Sequence, residues 1–147
     1  MEFEINKEIL LKSISRANGI IEKKTTLPIL SNILIEAKNS KIKITATDLD
    51  IIYSEEISLN EIKKEGSTTT SAIILYDILR KLEPNAQVNF SQQSLTKLKL
   101  TSGNSKFNLL CLPTENFPLS EEDINQKSFE VNSQKMLKLF KFGQNFV

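Results

Sequence analysis

The amino-acid sequence predicts an α+β protein in which two helices pack on antiparallel sheets. The first ~111 residues spell strand-helix-strand-strand-strand twice over. The strand segments alternate apolar and polar residues and are separated by clusters of turn residues, as half-buried strands are. Neither half buries both faces of its elements alone, whereas two helices covering paired sheets of short antiparallel strands would.

The first half opens with Glu2 to Ile5, a short alternating strand. Asn6 is a good N-cap, because its side-chain oxygen can accept a hydrogen bond from a first-turn amide that has no partner within the helix. Leu10, Leu11, Ile14, Ala17 and Asn18 then mark one face of a helix, and Gly19 closes it. Lys12 and Arg16 stand one turn apart on the opposite face. A basic loop, Glu22 to Thr26, leads to Pro28 and a strand from Ile29 to Ala37. Lys38 to Lys41 (KNSK) supplies a turn. Lys41 to Asp48 alternates, with Ile42, Ile44 and Ala46 to one side and polar residues to the other. Thr47 to Asp50 (TDLD) is the next turn, and Ile51 to Leu59 the next strand.

The polar stretch Asn60 to Gly66 reads as a loop. After it the order recurs. Ser67 to Thr70 is a β-rich run, and Ser71 caps a helix whose apolar face carries Ile74, Leu75, Ile78, Leu79 and Leu82. Pro84 and Asn85 stop it. Three strands follow, Gln87 to Ser91, Leu95 to Thr101 and Lys106 to Cys111, joined by the turns SQQS and SGNS.

Composition narrows the chemistry. A chain of 147 residues, 39% apolar and 25% charged, holds one real core. A net charge of +1 argues neither for nor against nucleic acid. There is no histidine, so a Ser-His-Asp triad and a His-ligated metal are excluded. Neither GxGxxG nor GxxxxGK[ST] is present, and the four glycines are widely spaced. The single Cys111 forms no internal disulfide, which fits a cytoplasmic setting. Glu2, Glu4 and Lys7 break any signal-peptide pattern, and no stretch approaches the ~20 apolar residues of a membrane span.

Pro113 to Lys127 holds two prolines and an acidic patch, and reads as a linker. Beyond it the opening phrase returns. FEVNSQKMLKLF from Phe129 echoes FEINKEILLKSI from Phe3, with five identities in twelve at an offset of 126 residues. The expected organisation is a domain over residues 1–118, a linker over 119–127 and the start of a second, truncated copy over 128–147. Chance is the alternative, since strand-Asn-amphipathic helix is a common motif.

Three stretches carry a family resemblance: TTLPILSNILIEA from Thr25, ITATDLDI from Ile44 and FNLLCLPTENFP from Phe107. Gly66 with its Thr run, and YDILRKL, support it. In register from Met1 to about Pro118, the chain resembles the N-terminal domain of the bacterial DNA polymerase III beta subunit, the sliding clamp. The resemblance implies the DNA clamp fold, with helices lining the inside and sheets outside. It implies three such domains per chain and two chains per ring, enclosing double-stranded DNA as a processivity factor without catalysis of its own. The expected partners of an intact clamp are DNA, polymerase III and the clamp loader, whose peptides use a groove built by the second and third domains. No cofactor, small-molecule substrate or membrane is expected. Lys141 to Val147 (KFGQNFV) departs from the family helix, which favours a truncated, split or frameshifted product.

The resemblance also implies residue roles. Lys24, just ahead of T-L-P-I-L, falls where the family carries a DNA-facing basic residue, usually Arg, and Lys23 adds a second charge. Lys keeps that charge without the bidentate fork of Arg. Lys12 and Arg16 on the first helix, and Arg80 and Lys81 at the end of the second, would face phosphate if both helices line a hole. Ile73 stands where the family is usually basic. Surface Lys and Arg are solvated in most proteins, which is the plain alternative. For ring closure, the edge strand Lys106, Phe107, Asn108 and Leu109 would add to the third domain of another subunit, with Ile74 and Ile78 packing nearby and Lys97 and Lys106 as ion-pair candidates. Strand alternation makes at least one of Phe107 and Leu109 a core residue. The rival readings are a fragment that only pairs with an intact clamp subunit, and an enzyme holding a divalent metal at Asp48 and Asp50, a D-x-D that between two strands is ordinarily a turn. Cys111 has no activating neighbourhood and reads as a half-buried strand residue.

Overall fold

The computed structural model describes residues 1–21 and 26–119. Met1–Phe117 form one unit and Pro118–Val147 a second, of which only Pro118 and Leu119 fall among the described residues. The expected echo of the opening phrase over 128–147 therefore lies outside them.

The elements run β1 (Glu2–Asn6), α1 (Lys7–Asn18), β2 (Asn32–Lys38), β3 (Lys41–Thr47), β4 (Ile52–Ser58), β5 (Ile62–Lys64), β6 (Gly66–Ser71), α2 (Ala72–Lys81), β7 (Gln87–Ser94), β8 (Lys97–Ser102) and β9 (Ser105–Leu112). Both helices start as their caps predict. The Asn6 side chain accepts from the Glu8 amide and the Ser71 side chain from the Ile74 amide. Gly19 follows α1 with right-handed dihedrals, so it ends the helix without a left-handed turn. The β2–β3 hairpin turns on Asn39 and Ser40, both at positive φ, the pair that a two-residue turn of this twist requires.

The nine strands form one antiparallel sheet in the order β4-β3-β2-β6-β9-β8-β7-β1-β5. Each half contributes a three-stranded meander, and the opening strand of each half joins the meander of the other. β6 pairs with β2 from Asn32↔Ser71 to Ala37↔Gly66, and β1 pairs with β7 from Glu2↔Ser91 to Asn6↔Gln87. The two halves are thus interleaved, and neither completes its sheet without the other. The joint between the four-stranded group ending at β6 and the five-stranded group starting at β9 is short: β6 meets β9 only at Thr69↔Leu112 and Thr70↔Cys111.

Both helices lie side by side on one face of this sheet. Leu10, Ile14 and Ala17 of α1 and Ala72, Leu75 and Leu79 of α2 share one core with Ile33, Ile35, Ile42 and Ile44 on one side and Phe3, Val88, Phe90 and Leu98 on the other. By strand alternation Asn32, Leu34, Thr45, Thr47 and Thr69 take the opposite face, and they are buried too. The 3-10 turns Pro28–Ser31 and Thr114–Asn116 lie beside β2 and β6, with Leu30 and the following Phe117 buried. The Thr69 hydroxyl ties the joint together. It donates to the Leu112 carbonyl (2.8 Å) and accepts from Asn32 Nδ2 (3.1 Å) and the Leu112 amide (3.2 Å).

Five expectations about elements are corrected. Ile29 to Ser31 are not strand: with Pro28 at the first position they take a 3-10 turn that folds Leu30 inward. Asn60 to Gly66 is not all loop, because Ile62–Lys64 pair with the free side of β1. β7 continues through Ser94, past a bulge after Gln92, so Leu95 sits exposed in the turn. On the polar side of β3, Thr45 and Thr47 are buried, while Lys41 stays exposed and Lys43 half-buried. On α1, Leu11 and Asn18 are only partly buried, and Lys7 and Ser13 are buried in their place.

Candidate nucleic-acid interface

The outward side of α1 carries Ile9, Lys12, Ser15 and Arg16, all exposed. The outward side of α2 carries Ile74, Arg80 and Lys81, with Tyr76 and Asp77 half-buried. Packing decides this: each helix turns its apolar stripe to the sheet, so its long cations point away from it. Lys12 and Lys81 form no ion pair with another described residue. Arg80 lies 5.4 Å over the Tyr76 ring and contacts Asp77 one turn back at 3.3 Å. Ile73 is half-buried. Lys23 and Lys24, the loop cations expected to meet DNA, lie outside the described residues.

Arg16 is not a free cation. Its Nη2 donates to Glu55 Oε2 at 2.7 Å and its Nε to Glu55 Oε1 at 3.1 Å, a bidentate pair that joins α1 to β4. The Tyr53 hydroxyl accepts from Arg16 Nε at 3.2 Å and donates to Glu55 Oε1. The hydrogen bond from Arg16 holds the Glu55 carboxyl below its usual range, against partial burial. The hydrogen bonds from Glu55 and Tyr53 hold the Arg16 guanidinium more firmly protonated than usual. Burial, and then the hydrogen bond to Glu55, push the Tyr53 hydroxyl up. Spacing could not reveal this set, because 39 residues separate Arg16 from Glu55.

A second surface lies along β9. β9 as a whole runs between β6 and β8, so it is an edge along only part of its length. Its strand pairing with β6 begins only at Cys111; the Leu110 carbonyl accepts from the Thr70 hydroxyl of β6 at 3.1 Å, and residues 105 to 109 pair on one side alone, with β8. Leu109 turns into the core and Phe107 packs partly against it, which leaves Lys106, Asn108 and Leu110 on the outer side. Leu110, at 84% exposure, is the residue that sequence reasoning missed. The signal was there: it shares the alternation phase of Lys106 and Asn108. Ile74 is 53% exposed rather than part of the buried face of α2, while Ile78 packs partly against the core. Lys97 and Lys106 are both exposed.

The remaining candidates have structural explanations. Asp48 Oδ1 accepts the amides of Asp50 (2.9 Å) and Ile51 (2.8 Å), so this carboxylate closes the turn. Among the described residues no three His, Cys, Asp or Glu side chains come together as a metal site. Cys111 is buried more deeply than expected, and burial pushes its thiol up, away from a reactive thiolate. Among the described residues no helix is long and apolar enough to cross a membrane.

Two interleaved strand-helix-strand-strand-strand halves, with paired helices on one sheet face and a half-open strand at the joint, define a DNA-clamp domain. Residues 1–121 match the family described as DNA polymerase III beta subunit, N-terminal domain, and the chain belongs to that family. It is similar to the beta sliding clamp of Caulobacter vibrioides, at 34% identity over 95% of this chain and 37% of that protein. It is also similar to that of Buchnera aphidicola, at 32% identity over 97% of this chain and 40% of that protein. Among solved structures, a Bartonella birtlesii sliding clamp (DNA polymerase III subunit beta) bound to griselimycin superposes with a TM-score of 0.78 at 38% identity. The DNA polymerase III subunit beta of Pseudomonas aeruginosa gives 0.78 at 32% identity. Each comparison covers 82% of this chain and 32% of the other. The chain thus spans somewhat more than a third of the length of the curated relatives it matches.

Proposed function

We propose that this chain supplies the first domain of a DNA-encircling clamp, a non-catalytic processivity factor, and that the outward side of α1 and α2 faces the duplex. The observation that supports this best is the placement of Lys12, Arg80 and Lys81 on adjoining helices, all pointing away from the sheet. Long cations on helix faces meet phosphates without reading sequence, which is what a sliding contact needs. Lys24 and Lys23, which follow α1 in the sequence, are assigned to the same DNA contact by the family resemblance alone. Arg16 belongs to it by position.

The test is the salt dependence of binding to linear duplex DNA. Lys12→Glu and Lys81→Glu should each weaken binding and flatten the slope of log affinity against log salt by about 0.9 for every phosphate no longer neutralised. Slopes that coincide with the unmodified chain would remove these helices from the DNA-facing surface.

A second reading is favoured by the half-open stretch of β9. Residues 105 to 109 offer backbone unpaired on one side, next to the exposed Leu110, the features of a strand edge that accepts a partner strand. On this reading the chain pairs with the third domain of an intact clamp subunit. Retention of an intact sliding clamp on immobilised chain, abolished by Leu110→Glu, would support it; equal retention by both forms would not.

A further inference from the structure

We propose that Glu55 is a positioning residue that withholds Arg16 from phosphate, so that the helix face carries one cation fewer toward DNA than its residues suggest. The proposal rests on the DNA-facing reading of α1 and α2. Both oxygens of Glu55 are engaged by the Nε–Nη2 edge of the guanidinium, the edge that would grip a phosphate in the same bidentate way. Tyr53 closes the set from the same strand, so Arg16 is held by two side chains of β4. The Arg80–Asp77 contact differs in kind. It is a single 3.3 Å approach between half-exposed side chains of one helix, easily exchanged for solvent or phosphate.

The pair is too exposed to be explained by stability alone, at 52% for Arg16 and 28% for Glu55. What it does change is charge. A guanidinium already neutralised within the protein displaces no counterion when DNA arrives, and so adds nothing to the salt slope. Lys12, one turn earlier on the same face, has no such partner among the described residues. A surface that must slide gains from fewer fixed phosphate grips, and Glu55 removes the one bidentate grip that α1 could make.

The experiment measures binding of the full chain to linear duplex DNA across a fourfold range of salt. Glu55→Gln should steepen the salt slope by about 0.9, so that affinity falls ~3- to 4-fold more across the range. Arg16→Gln added to Glu55→Gln should restore the original slope. A second measurement needs no substitution. The sequence has two arginines, so the side-chain Nε–H spectrum has two signals, and that of Arg16 should hold its position as DNA is added. A slope that Glu55→Gln leaves unchanged, or an Arg16 signal that moves with DNA, overturns the proposal while the DNA-facing reading stands. Absence of any salt-dependent binding overturns both.

Discussion

Phe3 and Phe90 stack with ring centroids 5.0 Å apart and planes 14° from parallel, directly opposite one another where β1 enters the meander of the second half. Both rings are buried, and their stacking fastens residues from the two halves of the domain. Phe3→Ala should cost about 3–5 kcal/mol, the usual range for truncating a buried phenyl group. The measurement is the urea midpoint, with the slope of the transition held constant. A loss under ~1 kcal/mol would show that β1 contributes little to the second sheet.

Lys7 opens α1 and is 5% exposed, yet its Nζ lies 2.6 Å from the carbonyl oxygen of Leu82, the residue after α2. The Lys7 amide also donates to the Ala86 carbonyl, and Glu8 accepts from the Asn85 amide. Lys7→Met keeps the aliphatic stem but leaves the Leu82 carbonyl without its charged donor. The expected loss is about 1–3 kcal/mol. Equal midpoints for the two proteins would mean that water replaces the ammonium.

Thr69→Val should destabilise by about 1–3 kcal/mol, because Asn32 Nδ2 and the Leu112 backbone lose their shared hydroxyl on a buried face. Amide exchange should accelerate first at Cys111 and Leu112, where β9 joins β6. Uniform acceleration through the sheet would contradict a local joint.

The Glu55 carboxyl titrates below its ordinary value because Arg16 donates to it. A carboxyl lowered on folding contributes stability in full above its unfolded value, near pH ~4.3, and loses it as pH falls through the lowered folded value. Arg16→Gln should therefore be less stable than the unmodified chain at about pH 6, with the gap closing toward about pH 2. A gap that persists in acid would assign the effect to packing of the Arg16 stem.

Lys24→Glu should weaken duplex binding and flatten its salt slope by about 0.9. The chain alone should leave nicked circular DNA as fast as linear DNA at ~0.5 M salt, where phosphate contacts fail. Selective retention on circles would show that 147 residues suffice to close a ring.

Local physics made most elements legible. Asn6 and Ser71 announced the helix starts because their caps satisfy amides two or three residues away. Ile42, Ile44 and Ala46 announced a core-facing strand through a period of two. The same reasoning failed where neighbours distant in sequence decided the outcome. β5 looks like a charged loop and becomes a strand because β1 leaves a side unpaired. Thr45 and Thr47 look solvated and are covered.

The sequence by itself determined the doubled order of strands and helix, the two apolar helix faces, the absence of catalytic histidine and the family. Those properties rest on spacing within a few residues, or on residue identity. Tertiary structure alone decided that the halves exchange their opening strands, that β9 meets β6 only from Cys111 onward, and that Arg16 is held by Glu55. Each of these depends on which segments come to lie side by side across 39 residues or more, as β1 and β7, β6 and β9, and α1 and β4 do. No local period encodes such a meeting, because it is fixed by how both halves bury their apolar faces at once.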